Sequence, residues 1–144
     1  MKSNLILVLL ILSVACSSKK SDINAYLNKL NDTILVNKKL VVVIPQSGCS
    51  SCVRAAINFL KTTSIKKEWI QIIFTEFEDR KFLEIVYKYV CDKYNDIIFD
   101  KENVWRGYGL FSNYPLAIKI DNKIDFFEYI DPYKQVIWKQ LELP

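Results

Sequence analysis

The stretch Val41-Val42-Val43-Ile44-Pro45-Gln46-Ser47-Gly48-Cys49-Ser50-Ser51-Cys52-Val53-Arg54 decides how this chain folds. Its β-branched apolar run lacks the polar alternation of a half-exposed strand, so it reads as a strand buried on both faces of a sheet. Pro45 and a small polar loop end the strand. A helical pattern follows from Ser50 to Lys61, with Val53, Ala56, Ile57 and Leu60 on one face. Cys49 then falls at the helix start, where unpaired backbone N–H groups and the helix dipole favour a thiolate. Cys52 falls one turn further in, within reach of Cys49. A redox dithiol, a zinc site and a plain structural disulfide all use this spacing.

Composition narrows the choice. The chain has 144 residues, four cysteines and no histidine. The missing histidine excludes His-based zinc sites, Ser-His and Cys-His catalysis, and a histidine general base. Chemistry must come from thiols, carboxylates, lysine or tyrosine. The formal net charge of +4 is spread along the chain without a basic stripe, so no nucleic-acid partner is expected. No metal site and no cofactor is expected either. Cys91 lies on an apolar helical pattern and reads as a small core hydrophobe.

The N-terminus carries a separate message. Lys2 precedes an unbroken apolar run from Leu5 to Leu12, and Ser13-Val14-Ala15-Cys16 closes it. That is the charged, apolar and small-residue order of a secretory signal, and the run is too short to span a bilayer. Leu12-Ser13-Val14-Ala15-Cys16 resembles the lipobox of bacterial lipoproteins. The resemblance implies cleavage before Cys16 and lipid on its sulfur, hence a membrane anchor in a bacterial cell envelope, on a periplasmic or surface face. The expected organisation is a signal peptide over 1–15, a flexible tether over 16–22 and one domain over 23–144. An exported chain meets an oxidising compartment, where Cys49 and Cys52 can rest as a disulfide.

Along the domain, Ile23, Leu27 and Leu30 have helical spacing, and Ile34-Leu35-Val36 reads as a short extended piece. Trp69 to Phe74 is a second strand, and Arg80 to Tyr94 one helix. Ile97-Ile98-Phe99 is a short strand, with a short helix between Lys101 and Tyr108. Pro115 introduces the strand Leu116 to Ile120. Asp121-Asn122-Lys123 turns the chain into Ile124 to Ile130, and Asp131-Pro132 opens a closing helix over Tyr133 to Leu141, with Val136, Ile137 and Leu141 facing inward. Alternating strands and helices followed by a hairpin define an α/β class with a mixed sheet.

That order, with Cys49-x-x-Cys52 after the first buried strand and Tyr114-Pro115 before the hairpin, resembles the thioredoxin fold. The segment Ile97 to Tyr108 is similar to the insert of TlpA-like and peroxiredoxin-like members. The resemblance covers about Leu40 to Leu141. It implies a central mixed sheet flanked by helices, with a short strand–helix insert before a cis-proline hairpin. It also implies a thiol-disulfide oxidoreductase in which Cys49 attacks and Cys52 resolves. Tyr114, Pro115 and Gly48 would meet the substrate. The partners would be protein or peptide thiols and disulfides, with an unidentified electron partner.

The chain departs from that pattern in places. Ser50-Ser51 stands where thioredoxin has Gly-Pro, Gly48 replaces a tryptophan, and Val43 replaces a buried aspartate. Proton acceptance from Cys52 then falls to Glu76, Glu78 or water. Two other readings stay open: a non-enzymatic binding or scaffold domain with Cys49–Cys52 as a structural clip, and a peroxide reductase. The latter rests on Pro45-x-x-x-Cys49-x-x-Cys52, in which Cys52 would be the peroxide-reacting thiol.

Overall fold

The computed structural model describes residues 19–110 and 112–132. The segment expected to be a signal peptide, Cys16, Phe111 and the segment from Tyr133 expected to close the domain as a helix lie outside the described residues.

Residues 19–30 form a helix, α1, which buries Ile23, Tyr26 and Leu27. The tether expected through Asp22 is therefore already helical from residue 19. Lys20 Nζ reaches the Asp125 carbonyl at 2.9 Å and Lys19 lies over the Tyr129 ring, which ties this turn to the hairpin. Ile34–Asn37, expected to be extended, is a single helical turn, α2. Asn31 Oδ1 accepts from both the amide and the hydroxyl of Thr33, and this local bonding turns the chain into the helix.

The sheet has five strands in the order β3-β2-β1-β4-β5. They are β1 (Leu40–Pro45), β2 (Ile70–Thr75), β3 (Ile97–Asp100), β4 (Leu116–Ile120) and β5 (Ile124–Tyr129). The first three are parallel, whereas β4 and β5 run antiparallel to their neighbours. All six residues of β1 and of β2 are buried, as the unbroken apolar run of β1 requires.

Helix α3 (Ser50–Thr62) links β1 to β2, and α4 (Arg80–Val86) with α5 (Lys88–Lys93) links β2 to β3. Successive right-handed crossovers moving the same way put these helices on one face. There Val53, Ala56, Leu60, Leu83, Val90 and Tyr94 pack on Val42, Ile44, Ile72 and Phe74. The chain then returns across the other face through α6 (Val104–Gly107), whose Trp105 joins Tyr26, Val41, Val43 and Leu116 in a second core. The resulting α/β architecture, a mixed sheet flanked by helices, is consistent with a thioredoxin-like arrangement. The expected insert also has a structural task, because β3 pairs with β2 from Ile72 to Thr75 and forms the edge of the sheet.

Two local differences matter. The helix expected over Arg80 to Tyr94 breaks at Tyr87, at φ −107° and ψ 27°. The Tyr87 ring stacks on Phe74 at 5.5 Å, and its hydroxyl donates to Gln46 Oε1 at 3.1 Å. The break turns Val90 inward and leaves Cys91 half-buried, so Cys91 is not the core residue its spacing implied. Phe82, Ile85, Val86 and Tyr89 form an exposed apolar row along α4 and α5. The second difference is at Pro115. Among the described residues no peptide bond is cis, so the cis-proline expectation is corrected to trans. The reversal happens upstream, where the Tyr114 amide donates to Ser112 Oγ at 3.1 Å. The chain enters β4 already turned, and the ordinary preference for trans holds.

Candidate functional site

Cys49 is the N-cap of α3, with extended backbone, and its Sγ accepts from the Cys52 amide at 3.3 Å. A cap residue leaves the first helical amides pointing at its own side chain. The sequence specifies this locally: Pro45 ends the strand, Gly48 lets the loop pass, and the helical pattern begins at Ser50. Cys49 and Cys52 form a disulfide with Cα atoms 5.2 Å apart, within the usual range. Cys49 is half-buried, whereas Cys52 is 1% exposed. Ser51 Oγ lies 3.1 Å from Cys49 Sγ, a polar neighbour for that sulfur.

The loop carrying Cys49 is pinned on two sides. On one side the Cys49 amide donates to the Asn113 carbonyl at 2.7 Å. Gly48 allows this approach, because a Cβ there would lie 2.3 Å from the same oxygen. Pro115 is buried just beyond, and Tyr114 is 44% exposed. The structure thus brings Gly48, Cys49 and the Asn113–Pro115 segment together at one end of the sheet. Tyr108 packs against the second core.

On the other side Ser47 Oγ donates to Glu76 Oε2. The Glu76 side chain is 1% exposed and pairs with Arg106 Nε at 2.8 Å. Gln46 completes the anchorage, its amide donating to the Thr75 carbonyl at 3.0 Å. Asn113, Ser47 and Arg106 escaped the sequence reading, since nothing in their spacing marks them as neighbours of the dithiol. Glu76 was one of three open choices there, and its burial is what distinguishes it from the exposed Glu78.

A second buried carboxylate sits on the far face. Asp100 accepts from Tyr26 Oη, Thr75 Oγ1 and the Val104 and Trp105 amides, at 2.9–3.4 Å. It caps α6 and holds α1 to the sheet. Burial first, then the Asp100 charge and hydrogen bond, drives the Tyr26 hydroxyl far above its ordinary value.

Cys91 lines a separate groove with Arg80, Glu84, Lys88 and Asp92. Burial, then Glu84 and Asp92, pushes its thiol up, against Arg80 and Lys88. Among the described residues, no three Cys, Asp or Glu side chains are grouped to hold a metal ion. No described helix is long and apolar enough to cross a membrane.

No protein-family model matches the sequence, and no curated protein is significantly similar to it. The geometry of the cysteine pair therefore carries the functional reading. A close Cys-x-x-Cys pair in an α/β fold is compatible with thiol-disulfide redox chemistry.

Proposed function

We propose that this chain is a thiol-disulfide oxidoreductase of the bacterial cell envelope, lipid-anchored through Cys16. The carrying observation is the asymmetry of the pair: a half-buried cysteine at a helix cap and a buried one a turn inside. In the reducing direction, the Cys49 thiolate attacks one sulfur of a substrate disulfide. A mixed disulfide forms and the first substrate thiolate leaves. Cys52 then loses its proton and attacks Cys49 Sγ, which expels the second substrate thiolate and restores Cys49–Cys52. The substrate gains two electrons and the dithiol loses two. A dithiol partner returns them by the same exchange. In the oxidising direction every step runs backwards. Tyr114, beside the buried Pro115, and Gly48 are the proposed substrate contacts.

Membrane attachment rests on the lipobox-like segment alone, and mass spectrometry of the exported protein tests it. Turnover of a small neutral disulfide tests the chemistry: Cys49→Ala should abolish it, and equal turnover by the variant would refute the proposal.

One observation favours a second reading, a non-catalytic domain with a structural clip. The Asn113 carbonyl, close to where a substrate backbone would lie, is already taken by the Cys49 amide. This reading expects no turnover and a stability loss of about 2 kcal/mol on removing the disulfide, the value for so short a loop. The peroxide reading is disfavoured because Cys52, its reacting thiol, is 1% exposed.

A further inference from the structure

Glu76 is the charged group built into the support of the dithiol loop, and its surroundings look arranged for that task. Its carboxylate is buried, with Arg106 on Oε1 and Ser47 on Oε2. A buried carboxylate without partners is strongly disfavoured, so its two contacts are what hold it there. Its backbone is left-handed, at φ 58°, a region costly for a side chain of this size. The amide is held there by Asn103 Oδ1 at 3.0 Å, and Asn103 is itself left-handed at φ 51°. Two left-handed residues, joined by a hydrogen bond, thus present one carboxylate to the loop that carries Cys49. Strain of this kind survives only where the surrounding structure over-determines it.

We infer that Glu76, clamped by Arg106 and bonded to Ser47, is a positioning residue that holds the Cys49 loop ready to close on Cys52. The inference rests on the redox reading of the pair. Ser47 lies two residues before Cys49, and the loop between them is packed closely on Asn113, so a change in where Ser47 is held alters the position of Cys49. With the clamp intact, the loop is already ordered before the disulfide forms. Without it, closure must order the loop, and the disulfide becomes less favoured. The clamp therefore acts on the dithiol–disulfide equilibrium beyond any effect on the fold as a whole.

Ser47→Ala separates these effects, because it cuts the loop from the carboxylate and leaves the Glu76–Arg106 pair in place. The full chain, equilibrated with oxidised and reduced dithiothreitol, gives the equilibrium constant for closing Cys49–Cys52. Ser47→Ala should lower it roughly 3- to 10-fold, the size of a typical net hydrogen bond. Ser47→Thr, which keeps the hydroxyl, should restore most of it, and Glu76→Gln should lower it. Urea unfolding of both redox forms closes the cycle. A purely structural clamp destabilises the oxidised and reduced proteins equally and leaves the constant unchanged, and that result would overturn the inference. Dithiothreitol reads the constant whether or not the protein is an enzyme. Failure to turn over small disulfides with a shifted constant thus removes the proposed function and keeps the clamp. Turnover with an unshifted constant does the reverse.

Discussion

The Cys49 amide and the Asn113 carbonyl meet at 2.7 Å, and this contact docks the cysteine loop on the segment leading to Pro115. Gly48 makes it possible, since a Cβ there would lie within 3.0 Å of three Asn113 backbone atoms. A backbone cannot yield as a flexible side chain can. Gly48→Ala should therefore cost about 1–3 kcal/mol, as overpacking does, and displace Cys49. Urea unfolding should show the loss, and the displaced cysteine should change the rate of disulfide reduction by dithiothreitol. A variant as stable as the parent would mean that the two loops are not held this close.

The reduced protein should react with iodoacetamide in a fixed order. Cys49 is half-buried at a helix cap, Cys52 is 1% exposed, and the Cys91 thiol is raised by burial and by Glu84 and Asp92. A raised thiol pKa means less thiolate at any given pH, so Cys91 should label slowly at pH 7 and gain speed only above the ordinary thiol range. Peptide mapping after brief labelling at pH 7 should find Cys49 modified well ahead of both others. Cys91 labelling first would contradict the assigned environments.

Much of this was legible in the sequence, and what was missed has a common cause. The buried strands β1 and β2 and the helix after Cys49 follow from apolar pattern and local chemistry, and they appear where expected within a residue or so. The turn through Asp121-Asn122-Lys123 is there as well, with Asn122 at φ 56°. Tyr87 could not be read the same way. Its helical stripe is sound, and only the tertiary stacking on Phe74 and the hydroxyl bond to Gln46 break the helix. The same holds at the site. Cys49 and Cys52 were visible because both lie on one strand–loop–helix unit. Glu76, Arg106 and Asn113 come from three other stretches, and only the topology brings them to the loop that carries Ser47 and Cys49.

Asp100 should be a stability residue, not a redox one. It accepts four hydrogen bonds, from α1, β2 and α6, and is 3% exposed. Asp100→Ala leaves buried donors without an acceptor and should cost about 3 kcal/mol or more. Tyr26→Phe removes only the longest of the four bonds, at 3.4 Å, and should cost under about 1 kcal/mol. Equilibrium denaturation of both variants checks the ranking. If Tyr26→Phe proved the more damaging, the carboxylate would not be the centre of this network.

Alkali should unfold the protein through its buried tyrosines. Burial, and secondarily Tyr89, pushes the Tyr94 hydroxyl up to about 12 from 10.0. Tyr94 is 2% exposed and donates to the Leu60 carbonyl at 2.7 Å, a bond the phenolate cannot make. Tyr26 is raised further, and burial also raises Tyr87. A folded-state pKa above the unfolded value means that folding favours the protonated form. The contribution is whole below pH 10 and falls as pH rises from there towards 12, because the unfolded chain releases its protons first. Urea midpoints should thus hold steady from pH 8 to the first phenol titration and then drop. Tyr94→Phe should be less stable than the parent at pH 8, where the bond to Leu60 is lost, and should lose less on going to high pH. An equal alkaline loss in both proteins would show that Tyr94 is already solvated in the native state.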